Sequence, residues 1–182
     1  MPRFPLLPLW LLAVTGLSTS LLPGAATAGE PAPGPCPSDA TAVIDGLYRW
    51  HVAQRDSSGP MDLSSQSQRF TPYLQERLSR ALALTPGRDG RFVDFDVFSG
   101  TQVATFGARV LNCRSDGSTG LEARVAVTVG ISSRGPEETA QILRYRLVPG
   151  SISGWRIADI TYQGDPDFKL SSFLTDLLEP KR

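Results

Sequence analysis

The sequence predicts an α+β fold with N-terminal helices packed on one face of a curved antiparallel sheet, and three observations carry that prediction. Apolar residues recur at helical spacing between about residues 40 and 82, then alternate residue by residue from about Val103. Four alternating segments follow one another, joined by Gly-, Ser-, Asp- and Pro-rich turns. No further long helical pattern appears until the C-terminus.

The elements are justified in chain order. Arg3, an apolar stretch from Leu6 to about Leu22 and Ala26-Thr27-Ala28 ahead of Gly29 read as a secretory signal peptide over residues 1–28. Cys36 follows Pro33-Gly34-Pro35, which is not the apolar-small-small context of a lipid-attachment cysteine, so no anchor or membrane span is expected after cleavage. Residues 29–37 form a Pro- and Gly-rich lead-in, and a single domain covers residues 38–182. Ser38 or Asp39 offers a cap for a helix from Ala40 to about Gln54, whose apolar face holds Val43, Ile44, Leu47, Tyr48 and Trp50, with Gly46 weakening it slightly. Residues 56–66 read as a loop with room for a short helical turn. Thr71 and Pro72 then supply the cap and first position of a second helix, with Leu74, Leu78, Ala81 and Leu82 on one side and Pro86-Gly87 as its stop.

Strands are expected over about 103–113, 121–131, 141–148 and 155–162. In the second, Val125, Val127, Val129 and Ile131 share one face, opposite Glu122, Arg124, Ala126 and Thr128. In the last, strict alternation sets Asp159 on the face of Trp155 and Ile157. Phe168 to Leu178 reads as a short closing helix.

Composition bounds the function. With 18 basic and 18 acidic residues, and Arg3 the only charge in the signal segment, the mature chain carries about −1, which gives no reason to expect a nucleic-acid partner. Cys36 and Cys113 are the two cysteines of a chain bound for an oxidising compartment, and an even pair there reads as a disulfide. It closes a loop of about 78 residues, worth up to about 4.5 kcal/mol in the chain-entropy account. One histidine, no Cys-x-x-Cys and no calcium-loop pattern leave no metal or cofactor expected.

Three side chains are candidates for acid-base chemistry. His51 is the only histidine and needs an acid to orient it, which Asp159 or Asp96 can supply, although a histidine on a helix face is more often simply packed. Asp94 and Asp96 project to one side of an extended segment, where one acid capping a turn and the other solvated is the simpler account. Asp159, if it faces an apolar interior, is either a proton-transfer group with a raised pKa or a hydrogen-bond anchor to the first helix. Arg109, Arg124, Arg144, Arg146 and Arg156 recur on the strands. Aligned, they make a basic stripe suited to an acidic partner, with Arg124, Arg144, Arg146 and Arg156 as the contact candidates; balanced by Glu122 and its neighbours, they are an ordinary solvated face.

Tyr48-Arg49-Trp50-His51, Phe95-Asp96-Val97-Phe98 with Gln102, and Trp155-Arg156-Ile157-Ala158-Asp159-Ile160 together resemble a group of secreted bacterial proteins of unknown function in the nuclear transport factor 2-like superfamily. The resemblance spans residues 40–178, with His51 in place of a tyrosine, Val97 in place of a proline and Val103 in place of an acid. It implies a cone-shaped fold, a pocket at the open end lined by Tyr48, Trp50, His51, Phe95, Gln102, Trp155 and Asp159, and dimerisation through the sheet. That superfamily holds isomerases, dehydratases, binding proteins and structural domains, so the fold does not decide the activity. The expectation is a secreted or periplasmic non-enzymatic domain that binds an envelope protein or small ligand. The alternatives are a small acid-base isomerase or dehydratase using Asp159 with His51 or Asp96, and an inhibitor or immunity-type envelope protein.

Overall fold

A computed structural model describes residues 32–55, 61–131, 139–150 and 154–179. The signal-peptide reading of residues 1–28 and the turn expected at residues 132–137 lie outside the described residues. Helix α1 (Ser38–Gln54) is followed by a short 3-10 helix (Ser64–Arg69), α2 (Pro72–Leu82), a single turn α3 (Pro86–Asp89), strands β1 (Ala104–Ser115), β2 (Leu121–Gly130), β3 (Thr139–Pro149), β4 (Trp155–Tyr162) and β5 (Phe168–Lys169), and helix α4 (Leu170–Leu178). The strands form one open antiparallel sheet in the order β1-β2-β3-β4-β5. The fold is therefore α+β, with a fifth short strand where the closing helix was expected to begin.

Ala40, Ile44, Leu47, Tyr48 and His51 are buried along α1 at spacings of three and four, the stripe that a helix lays against a sheet. Across from it stand Ala123, Val125, Val127 and Val129 of β2, Leu143, Tyr145 and Leu147 of β3, and Ile157, Ile160 and Tyr162 of β4. Each fully buried large aliphatic in this layer contributes roughly 1.5–3 kcal/mol. Ile131, expected on the same inner face, lies just past the end of β2 and is 81% exposed.

The caps follow the sequence in one helix and depart from it in another. Thr71 Oγ1 accepts the Leu74 N–H at 3.4 Å, as a Thr-Pro start predicts. Helix α1 instead starts at Ser38, because the Pro37 carbonyl already accepts the Thr41 N–H at 3.0 Å, and Asp39 bonds the adjacent Ala40 N–H. Pro86-Gly87 does not simply stop α2, which ends at Leu82, but begins the extra turn α3, since proline is well suited to a first helical position. Gly46 leaves room for a neighbouring side chain. The Arg69 guanidinium lies across the helix there, donating to Gln66 Oε1 at 2.7 Å, and a Cβ on Gly46 would stand 2.3 Å from Arg69 Nη1.

Cys36 and Cys113 are joined by a disulfide, and Gly34 pairs with Cys113 through two backbone hydrogen bonds of 2.8 and 2.9 Å, so the lead-in is fixed to the far end of β1. Beside β4, Arg77 of α2 is buried and donates to the Leu174 carbonyl, Thr175 Oγ1 and Glu179, holding the C-terminal end of α4. No helix among the described residues is long and apolar enough to cross a membrane.

Candidate functional site

The chemistry-bearing side chains converge on the loop between α3 and β1. In Asp96–Thr101 the chain turns back on itself. The Asp96 N–H donates to the Thr101 carbonyl at 2.8 Å, and the Asp96 carbonyl accepts the Ser99 and Gly100 N–H groups at 3.1 and 2.7 Å. Gly100 sits at φ 71°, and a Cβ there would stand 2.7 Å from Tyr162 Cδ1, so both the backbone angle and the close approach call for glycine.

This loop projects inward, between α1 and the sheet. Val97, Phe98 and Ser99 are buried, and Phe98 stacks on Phe70 with ring centroids 6.1 Å apart. Buried loop carbonyls need donors, and two tyrosines supply them. Tyr48 of α1 donates to the Phe98 carbonyl at 2.6 Å, and Tyr162 of β4 donates to the Val97 carbonyl at 2.7 Å. Tyr145 of β3 lies 2.7 Å from the Tyr48 hydroxyl and completes the chain. Burial holds all three phenols well above their ordinary pKa, so they remain neutral and hydrogen-bonded.

Asp96 is the hub of the loop. Its Oδ1 accepts the Phe98 N–H at 2.8 Å, while Oδ2 accepts from His51 Nε2 at 2.7 Å and Thr105 Oγ1 at 2.6 Å. Burial alone raises the Asp96 pKa, but the His51 hydrogen bond and charge, then the Thr105 and Phe98 donors, outweigh it and leave the carboxyl below its ordinary range. With Asp96 ionised, His51 carries a proton on Nε2. Its other nitrogen, Nδ1, is buried with no hydrogen-bond partner among the described residues. Beside the pair lies a cavity of about 260 Å³ whose walls include Gln54, Arg55, Met61, Val103 and Ala104.

Of the acids proposed from sequence to orient His51, it is Asp96 that the fold brings to the ring. Asp159 is elsewhere. Arg146 pairs with Asp159 but Leu147 pairs with Ile157, so Ala158 is a bulge and the alternation shifts by one residue. Ile157 and Ile160 both face the core, and Asp159 lies with Arg146 on the outer side, a correction to the inward placement read from strict alternation. There it holds the start of α4: Oδ1 accepts the Ser171 N–H at 3.0 Å and Oδ2 accepts the Ser171 hydroxyl at 2.6 Å. Asp159 is thus a hydrogen-bond anchor, to the last helix rather than the first.

The other residues expected to line one pocket are dispersed. Trp50 and His51 stay together against Phe98. Phe95 packs with Phe173, Tyr162 and Phe168 beside α4, Gln102 bonds the Asp94 carbonyl on an exposed loop, and Trp155 faces Val43 and Arg69. Thr105, Tyr145 and Tyr162 were not singled out from sequence, and Phe98 entered only as part of the Phe95–Phe98 motif. The inward position of Tyr145 between Leu143 and Leu147 was the one signal available.

The outer arginines do not form an open basic stripe. Arg114 and Arg144 flank Glu122 at 2.8 and 3.9 Å, Arg144 also pairs with Asp167, and Arg146 pairs with Asp116 at 3.2 Å. Arg156 donates to the Phe70 carbonyl at 3.3 Å. Only Arg124 of the four contact candidates has neither an ion pair nor a hydrogen bond among the described residues. No group of three or more His, Cys, Asp or Glu side chains suited to a metal ion occurs among the described residues. Compared with protein families, characterised proteins and solved structures, the chain matches none.

Proposed function

We propose that this chain is a secreted, non-enzymatic binding domain that recognises its partner through its surface. One observation carries the reading: the middle of the space between α1 and the sheet is filled by Val97 and Phe98, with Tyr48 and Tyr162 bonded to their carbonyls, which leaves the openings at its margins, beside His51 and along β1. Asp96 and Asp159 act as ties between elements, and His51 Nδ1 has no exposed surface from which to take a substrate proton. The kinship with nuclear transport factor 2-like secreted domains belongs to this proposal; a helix packed on one face of a bulged antiparallel sheet supports it. The signal-type N-terminus and the Cys36–Cys113 disulfide support the secreted or periplasmic setting.

A second reading, the acid-base enzyme, is favoured by the 2.7 Å contact between His51 and Asp96 beside a cavity. Capture of partners from secreted and periplasmic fractions by the oxidised domain, with cross-link mapping, separates the two. A binding domain keeps its partner when His51→Gln is introduced and cross-links at its surface. Turnover of a small molecule from those fractions, abolished by His51→Gln in a folded protein, refutes the proposal in favour of the enzyme.

A further inference from the structure

The two edges of the sheet are finished differently. On the far side, β5 pairs with Thr161 and Tyr162, and the Phe70–Thr71 segment bridges Ile157, with the Thr71 N–H bonded to the Ile157 carbonyl at 2.9 Å. On the near side, β1 is the edge strand and, among the described residues, is met only at Cys113, where Gly34 pairs with it. From Ala104 to Val110 no backbone group of the described residues covers that edge.

The Cys113 bridge also fixes which groups point outward. Its N–H and C=O face Gly34, so the Cys113–Ala123 pair is not hydrogen-bonded within the sheet. Counting along β2, which has no bulge toward β3, Val125 and Val127 share the orientation of Ala123, and their partners on β1 are Val110 and Ala108. Ala108 and Val110 therefore turn their N–H and C=O groups away from β2, on a regular stretch between the irregularities at Phe106 and Leu111.

Alongside this stretch runs a groove of about 490 Å³ between α1 and β1, lined by Asp45, Arg49, Val52, Ala53, Phe106 and Ala108. An open strand edge with a helix running beside it is the geometry in which extended peptides add to a sheet, backbone bonds giving affinity and alternate side chains entering the groove. The charges along the seam choose the peptide. Arg49 and Arg109 are exposed, the Arg55 guanidinium lies 5.2 Å from the centroid of the Phe106 ring, and Asp45 is the one acid in the groove wall. A positive seam attracts an acidic chain and repels a basic one.

We infer that the free edge of β1 and the adjoining α1 groove dock an extended acidic segment of a partner protein by adding it as a sheet strand next to Gly107–Val110. The inference rests on the binding-domain reading and names its partner's chemistry. A small apolar segment on the inward side fits against Val52, Ala53 and Ala108, while carboxylates meet the exposed Arg49 and Arg109.

The test is fluorescence anisotropy on the oxidised domain, with a labelled, end-capped octapeptide of alternating glutamate and valine as probe. A lysine–valine peptide and a glutamate–valine peptide with proline at alternate positions are the controls. The glutamate–valine probe should bind about tenfold or more tighter than either control, because one loses the charge match and the other the backbone donors. Ala108→Pro, on an edge position whose N–H is not needed by the sheet, should weaken the probe about tenfold, and Arg49→Glu with Arg109→Glu should do the same. Thermal unfolding of each variant shows that the fold is intact, and the double charge variant stands in if Ala108→Pro does not fold.

Absence of probe binding, equal binding of the lysine peptide, or indifference to both variants overturns the inference. A partner captured equally by wild type and by the double charge variant sinks this edge while leaving the binding-domain proposal standing; an enzyme revealed by the His51→Gln assay sinks that proposal instead.

Discussion

If Asp96 is the tie that seats the inward loop, removing its carboxylate must unfasten three donors at once. Asp96→Ala leaves the Phe98 N–H, His51 Nε2 and Thr105 Oγ1 without acceptors in a site where Asp96 itself is only 18% exposed. A buried donor left unmet costs about 1–3 kcal/mol, and with some relaxation of the Thr105 hydroxyl the sum is about 3–5 kcal/mol. Thr105→Val removes one donor and keeps the others paired, so its cost should be about 1 kcal/mol. The pH dependence has a definite sign. Because the folded Asp96 pKa lies below the unfolded one, its stabilisation is fully present above the ordinary carboxylate value and is lost as pH falls through the lowered folded value. The gap between wild type and Asp96→Ala should therefore be widest at neutral pH and shrink on strong acidification. Urea unfolding followed by the fluorescence of Trp50 and Trp155, with the disulfide intact, measures both quantities. A neutral-pH gap under about 1 kcal/mol, or one that stays constant into acid, would refute the assignment of Asp96 as an ionised structural hub.

Three further outcomes follow from particular contacts. Gly46→Ala, which ordinarily gains about 1 kcal/mol in a helix interior, should gain less here because its methyl displaces the Arg69 guanidinium from Gln66, and the full gain should return in an Arg69→Ala background; a thermal-melt double-mutant cycle reads the difference. Asp159→Ala should cost about 1–2 kcal/mol and raise amide exchange at the start of α4, as hydrogen-exchange mass spectrometry would report, while an unchanged Ser171 amide would contradict the anchor. For the three buried tyrosines the folded pKa is raised, so their stabilising effect is complete below the unfolded phenol value near pH 10 and declines as pH rises above it. Tyr162→Phe should lessen this alkaline loss and cost about 1–2 kcal/mol at neutral pH by orphaning the Val97 carbonyl, both read by urea unfolding.

Much of this molecule was written into local pattern. The Thr71-Pro72 start of α2, the α1 stripe and the alternation of β2 are decided by neighbours a few residues away, where periodicity and capping chemistry act directly. The presence of two cysteines and no more was enough to pair Cys36 with Cys113. What the local pattern could not contain is the single extra residue at Ala158, which moves Asp159 to the outer side, since a bulge is defined by the partner strand and not by its own sequence. Nor could it contain the inward loop: Asp96 meets His51 and Thr105, and Tyr48 and Tyr162 meet the carbonyls of Phe98 and Val97, only after α1, β1 and β4 have closed around it. Side-chain type and spacing named the donors and acceptors, but which of them are neighbours across as many as 65 residues is fixed by packing, because a buried polar group must find its partner wherever the core places one.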